Sequence, residues 1–450
     1  TVESTGLSAS ARRVAMNILQ DVDKEGAYAS LALQKRLAET PLSPKDKRLC
    51  TSIVYGTLEN RIRIDFVLDH FMSRPTHDPL LRNILRLSAY QLLFLDRVPE
   101  SAAVNEGVNL VKFVGMESAA GFANAVLRSL AREKASIPYP KREDDVRQYL
   151  HIMESMPLWI VDRLVTAYGP ETAEAIIRYR PDEHAIPLRP NLTRLNDAAF
   201  ETLLAKKVWE SRRGIAPHAY LVTGASDLGM DRDFKAGQFS IQGQGSILAA
   251  QAVGAKPGMR VLDACAAPGG KACYLAEAMQ GTGRVYAWEL HEHRARLIEG
   301  ACRRLRLDNI RITVRDATEP RPDWNDTLDA VLLDAPCTGL GVMLEKPDVK
   351  LRVKEESVAE IADTQRRLLD AVCVYVKPGG VLVYSTCSIL PEENARQIEA
   401  FLERHPEFTV ERIPDCPEAL AEHQTALGLQ LLGFRDGVEG FYIARMRKRR

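Results

Sequence analysis

At 450 residues, 46% hydrophobic and 27% charged, the chain is long enough for two or three separately cored domains and too polar for a membrane-embedded protein. Lys plus Arg and Asp plus Glu both total 60, so net charge offers no argument for a polyanionic partner and basic segments must be judged locally. No stretch reaches the ~18 apolar residues of a membrane span, the start TVESTGLSASARRV lacks the apolar core of a secretory signal, and the eight cysteines have neither CxxC zinc spacing nor disulfide density. A cytoplasmic, monomeric protein with no metal and no membrane attachment is expected.

From about residue 9 to 135 one helix follows another. Apolar positions recur at three- and four-residue spacing in ARRVAMNILQDV, KRLCTSIVYGTLENRIRIDFVLDHF and LRNILRLSAYQLLFL, separated by the turn signals TPLSPKD and SRPTHDP. The proline-containing stretch IPYPKRED then reads as a linker, which sets a helical domain at 1–138. Residues 139–240 are mixed: helical patterns in PLWIVDRLVTAYG and ETAEAIIRYR precede strand candidates in IPLRPNLTRL and HAYLVTG, a small α+β segment. From 241 to 450 strands alternate with helices: RVLDACAAPGG, KACYLAEAM, RVYAWEL, RARLIEGACRRL, IRITVRDA, LDAVLLDAPC, EIADTQRRLLDAVCVYV and GGVLVYSTCS. That alternation predicts a Rossmann-like α/β domain with a parallel sheet covered on both faces. Basic clusters stand at Arg294–Arg306, at Lys346–Lys354 and in the final RMRKRR, each equally well read as a solvated surface.

In open parallel sheets ligands bind beyond the carboxyl ends of the strands, and polar residues gather there. The first strand of this domain runs into Cys265, Ala266, Ala267, Pro268, Gly269, Gly270 and Lys271, where small residues admit a ligand close to the backbone and a helix begins. The next strands end at Glu289, Asp316 and Asp334. The loop is neither GxGxxG nor a phosphate loop, since Ala272 follows Lys271. Acids at successive strand ends suit a nucleoside carrying a cationic sulfonium, and S-adenosylmethionine is the expected cofactor. Each acid alone is also explained as a cap on the helix that follows.

Two strand ends carry cysteines, Cys337 in DAPC and Cys387 in STCS. Carbon 5 of a pyrimidine is a poor nucleophile until a thiolate adds to carbon 6, so a cysteine at such an end points to carbon methylation. Enzymes that methylate exocyclic amines carry Asn or Asp, two prolines and an aromatic residue where this chain has DAPC. The remaining cysteines, Cys50, Cys265, Cys273, Cys302, Cys373 and Cys416, read as small packing residues.

The motifs FSIQGQGSILAAQAV, LDACAAPGGK, LLDAPCTGLGV, KPDVK, VYSTCSILPEEN and GFYIARM, in this order, resemble the Fmu/Sun family of RNA 5-methylcytosine methyltransferases. The segments ARRVAMNIL, YGTLENRIRIDFVLDHF, LRLSAYQLLFLDRVPESAAVNEGVNL and ANAVLRSLAR resemble the NusB-like RNA-binding helical domain that family members of this type carry. The resemblance implies methylation of a specific cytosine in 16S ribosomal RNA or a small-subunit precursor. It implies Cys387 as the nucleophile, Cys337 as the residue assisting release of the adduct, and cofactor contacts from Cys265 to Lys271 and from Glu289, Asp316 and Asp334. Asp334 is further implied to face the cytosine. Leu344 and Glu345 stand where the family has two arginines, Glu289 where it has aspartate, and Ala272 where it has Thr or Ser. A transfer RNA substrate, or an RNA-binding assembly or antitermination factor with a vestigial catalytic domain, are the competing readings.

Overall fold

The computed structural model describes residues 10–26, 28–182 and 184–450, and the chain forms two compact units. One runs up to Arg178 and takes in Lys346–Arg352; the other comprises Tyr179–Glu345 and Val353–Arg450. The segment 139–240 is therefore divided: its helices Val146–Met153, Leu158–Tyr168 and Pro170–Arg178 belong to the first unit and its strands to the second.

The first unit is helical. Side chains stop the chain where the turn signals predict: Ser10, Ser43 and Asp78 each accept a backbone amide of the first turn, and Pro44 and Pro79 open their helices. Helix Pro79–Phe94 is buried on almost every side, with Leu81, Ile84, Leu85, Leu87, Ala89 and Leu92 in the core. Its buried polar residues are paired: Arg86 grips both oxygens of Asp65 at 2.8 Å, and Asn83 donates to Asp23 at 2.8 Å.

The segment KPDVKLR, read from sequence as a basic cluster, serves this unit as a double cap. Helix Ala29–Glu39 has no side-chain cap of its own, and Asp348 accepts the Ala29 amide at 3.1 Å. Lys350, 3% exposed, donates to the carbonyl of Glu59, the last residue of helix Pro44–Glu59, at 2.8 Å. A carboxylate at a helix start and an ammonium at a helix end each oppose the local end of the macrodipole.

The second unit holds two sheets. The smaller contains β1 (Ile186–Pro190), β2 (Glu210–Arg213), β3 (Tyr220–Thr223) and β4 (Phe239–Ile241) in the order β2-β3-β1-β4, all antiparallel, over a core of Leu188, Phe200, Tyr220, Val222 and Phe239. The larger contains β5 (Arg260–Asp263), β6 (Arg284–Glu289), β7 (Ile310–Val314), β8 (Leu328–Asp334), β9 (Val376–Thr386), β10 (Phe408–Glu411), β11 (Leu429–Leu431) and β12 (Phe441–Lys448). Their order is β10-β12-β9-β8-β5-β6-β7, with β11 paired to β12. Strands β5 to β9 are mutually parallel where they pair, and β12 is inserted antiparallel between β9 and β10. Alternate residues feed opposite layers: Val261, Leu332 and Val383 pack on one face, and Leu262, Leu333, Leu382 and Tyr384 on the other. Strand β5 is central, with order reversing on either side, so the loop after it opens at the switch point.

Candidate active site

The carboxyl ends of β5, β6, β8 and β9 lie along one edge of the large sheet, and antiparallel β12 brings its first residues to the same edge, Tyr442 opposite Thr386. The loop after β5 is fixed to its neighbours by two amides, Ala264 donating to Leu332 and Ala266 to Trp288, each at 2.9 Å. Gly269 has φ +109°, and a Cβ there would press on the Ile298 backbone at 3.2 Å, so this turn requires glycine. Helix Gly270–Ala278 follows, with Lys271 in its first turn.

Around this loop stand the acids that sequence reading selected. Glu289, at the end of β6, turns both oxygens toward backbone amides, those of Ala267 and His291, at 3.3 Å, with Arg294 3.5 Å away. Asp316 lies two residues past β7 and accepts from the amide and hydroxyl of Thr318, bonds that hold its carboxyl below the usual range. That is the local turn capping which the bland reading of an acid describes. Asp334 ends β8, pairs with Lys271 at 2.7 Å and accepts the Ser385 hydroxyl at 2.8 Å. Burial works against the charge on Lys271, but Asp334 outweighs it and holds the ammonium protonated above its ordinary range.

One further acid, inside LDACAAPGGK and one of the four strand-end acids of the sequence, sits at the end of β5. Asp263 is fully buried, and neither carboxylate oxygen has a hydrogen-bond partner of good geometry among the described residues, although the Cys265 amide faces it. Burial pushes its pKa up to about 7, opposed by Lys271 and reinforced by Asp334. Phe441 was missed in the sequence: its ring lies 5.6 Å from the Lys271 ammonium.

The two cysteines meet. Cys337 Sγ and Cys387 Sγ are 3.3 Å apart, both half-buried. The Cys337 thiol hydrogen bond draws Cys387 below the ordinary thiol pKa, burial opposes this, and Lys271 assists it; Cys337 is raised by the same bond and by burial. Of the other cysteines, Cys50, Cys273 and Cys373 are buried, and burial pushes Cys50 and Cys373 up to about 12, which makes them poor nucleophiles. The backbone is drawn tight at this corner: the Gly341 amide donates to Cys387 O at 2.9 Å and the Gly440 amide to Gly341 O at 3.0 Å. A Cβ on Gly341 would overlap the carbonyl oxygens of Gly440 and Cys387. A cavity of about 930 Å³ opens at the opposite, amino end of the strands, lined by Lys256, Asp329, Lys377 and Arg447, and contains none of these acids or thiols.

Residues 250–447 match the family model of the 16S rRNA methyltransferases RsmB/F, and residues 9–132 match the NusB family. The chain is 37% identical to "Probable ribosomal RNA small subunit methyltransferase B" of Bacillus subtilis, covering 98% of this chain and 99% of that one. The chain belongs to the RsmB/F family. It is 34% identical to the ribosomal RNA small subunit methyltransferase B of Xylella fastidiosa over 90% of this chain and 92% of that one. The crystal structure of PH0851 superposes with a TM-score of 0.81 at 25% identity, covering 98% of this chain and 100% of that one. The chain is thus an S-adenosylmethionine-dependent rRNA methyltransferase with an N-terminal NusB domain, and the fold class expected from sequence is the one found. The RsmB/F site suits that cofactor: a glycine loop without side-chain bulk, an orphaned buried carboxylate for a positive charge, and Glu289 with only long hydrogen bonds to displace. Among the described residues no helix is long and apolar enough to cross a membrane.

Proposed function

We propose that this chain methylates carbon 5 of a cytosine in 16S rRNA through a covalent adduct on Cys387, and that the residues Cys265–Lys271, Glu289, Asp316 and Asp334 hold the cofactor. The observation that carries this reading is the thiol pair, 3.3 Å apart at the ends of adjacent parallel strands, beside the Lys271–Asp334 ion pair. A site for amine methylation has no use for either thiol. S-adenosylmethionine, when bound, supplies an electrophilic methyl group.

The chain's own residues do the rest. A cytosine drawn out of its stack presents its Watson–Crick edge to Asp334, which accepts from the 4-amino group, while Lys271 donates to a ring acceptor. Cys387 Sγ forms a bond to carbon 6, which places an electron pair on carbon 5 for methylation. A base then takes the carbon 5 proton, the C–H electron pair restores the double bond, and the carbon 6–sulfur bond breaks to release the Cys387 thiolate. Cys337 stands within hydrogen-bond reach of the departing sulfur and assists this elimination.

Incubating the protein with labelled donor and small-subunit precursor RNA tests the reading directly. The expected product is 5-methylcytosine in 16S rRNA; methylation confined to transfer RNA, or none at all, overturns it. Cys387→Ala should reduce the rate by more than about 10³-fold without any covalent complex. Cys337→Ala should instead accumulate a protein–RNA adduct that survives denaturing electrophoresis, and the reverse pattern would exchange the two roles.

A further inference from the structure

Cys337 and Cys387 lie on separate loops, fifty positions apart, and neither loop is held by the other's cysteine alone. The residue following each is held by the same side chain. Glu393, 0% exposed, accepts the Thr338 amide on one oxygen and the Thr338 hydroxyl on the other, both at 2.8 Å, and the Ser388 hydroxyl also donates to it. Gln365 donates to Glu393 at 3.2 Å and to the Pro336 carbonyl at 2.8 Å, so the residue before Cys337 is tied to the same cluster. Asn394 completes the clamp on the second loop, accepting from Thr386 and donating to Ser388 O at 2.9 Å.

A buried carboxylate is costly unless its lone pairs are filled. Here every partner is a donor, and no Lys or Arg pairs with Glu393 among the described residues. Two N–H donors, the Thr338 amide and the Gln365 side chain, meet one oxygen and the two hydroxyls meet the other, so one side chain fills both oxygens and joins both loops. A purely architectural bridge between two loops is supplied as well by apolar packing, without the desolvation cost. A charged strut has the added effect of fixing the loops at one separation and one orientation.

We infer that Glu393 is a positioning residue that sets the separation of the two thiols, acting through Thr338 and Ser388 and touching neither substrate nor sulfur. The inference rests on the two-thiol reading above for its catalytic meaning, but its physical content is tested without RNA. The pH dependence of Cys387 alkylation by iodoacetamide is measured in the full chain, with the modified cysteine identified by peptide mass spectrometry. In the wild type the midpoint falls below the ~8.5 of a free thiol. Glu393→Ala, which removes all four bonds, should move it up by about one pH unit, because the two thiols are no longer held in register. Thr338→Val and Ser388→Ala, which each remove one donor and are milder, should move it part of the way. If Glu393→Ala folds poorly, these two carry the test. Profiles that superimpose on the wild type in the folded variants overturn the inference, since a residue serving stability alone lowers the melting temperature and leaves the thiol titration in place. A wild type inactive on RNA whose profile still shifts on substitution would refute the methylation reading and leave the positioning role standing. In the RNA assay Glu393→Ala should lower kcat about tenfold with KM unchanged.

Discussion

Helix Gly270–Ala278 has a buried charge problem at each end, solved in opposite ways. In its last turn Glu277 faces Arg189, both 0% exposed. The carboxylate takes both guanidinium nitrogens at 2.7 and 2.8 Å and the Leu192 amide at 2.9 Å, while Arg189 spends its remaining donors on Gln242 and Pro190 O. Near its first turn Asp263 is equally buried and keeps both oxygens without a well-formed bond. The first arrangement is complete without any other molecule, and it fastens the helix to the small sheet. The second leaves both oxygens without a partner among the described residues, with the Lys271 charge as its nearest compensation. Satisfied burial marks architecture here, and unsatisfied burial marks the site.

The sharpest way to break that contrast is to make the architectural end resemble the functional one. Glu277→Ala leaves the Arg189 charge buried with only Gln242 and Pro190 O, and should cost about 3–5 kcal/mol of stability, measured by urea unfolding. The double variant Arg189→Met with Glu277→Leu should recover most of the loss, because it removes both charges rather than one. If the single substitution is silent, the pair is not what fastens the helix.

A second test converts the functional end into a satisfied one. The folded-state pKa of Asp263 is about 7 against the ordinary 3.8, so the folded chain holds an extra proton between those values. Stability therefore falls as pH rises through that window, and the penalty is complete above pH 7. Asp263→Asn should stabilise the cofactor-free protein by on the order of 2–4 kcal/mol at pH 8 and leave it unchanged below pH 4. The same residue predicts that S-adenosylmethionine affinity rises with pH up to about 7, with uptake of the cation releasing a proton that calorimetry in two buffers detects. The Asn variant should bind more weakly and lose the proton release. A wild-type affinity flat in pH would remove Asp263 from the cofactor's surroundings.

Where the local pattern carries the information, the sequence is a good guide. The near-continuous apolar runs of β8 and β9, buried on both faces, and capping at Ser10, Ser43 and Asp78 follow from residues a few positions apart. The acids at the strand ends are found because strands end in a way sequence reveals. What it does not reveal is pairing across distance. Nothing local distinguishes Asp316, which closes its own turn with Thr318, from Asp263, whose carboxylate is orphaned. Nothing in PEEN announces that Glu393 joins two loops, because its partners lie 55 positions upstream and 5 back. The edge position of Phe441 depends on β12 running antiparallel, which a strand's own sequence does not encode.

KPDVK offers the smallest and most discriminating test, because by composition it belongs to a basic cluster and by contacts it is architecture. A lysine that neutralises an RNA phosphate lowers the slope of log affinity against log salt by about one when removed. Lys350 instead spends its charge on the Glu59 carbonyl at the end of a helix and is almost wholly buried. Lys350→Met, which keeps the apolar stem, should therefore reduce the stability of the helical unit by about 1–2 kcal/mol. The salt slope of RNA binding should be unchanged. A slope reduced by one with stability intact would place Lys350 among the RNA contacts and deny the cap. The contrast with Lys271 follows from the partner: one ammonium closes a helix and the other pairs with a carboxylate at a strand end, near the Cys387 sulfur.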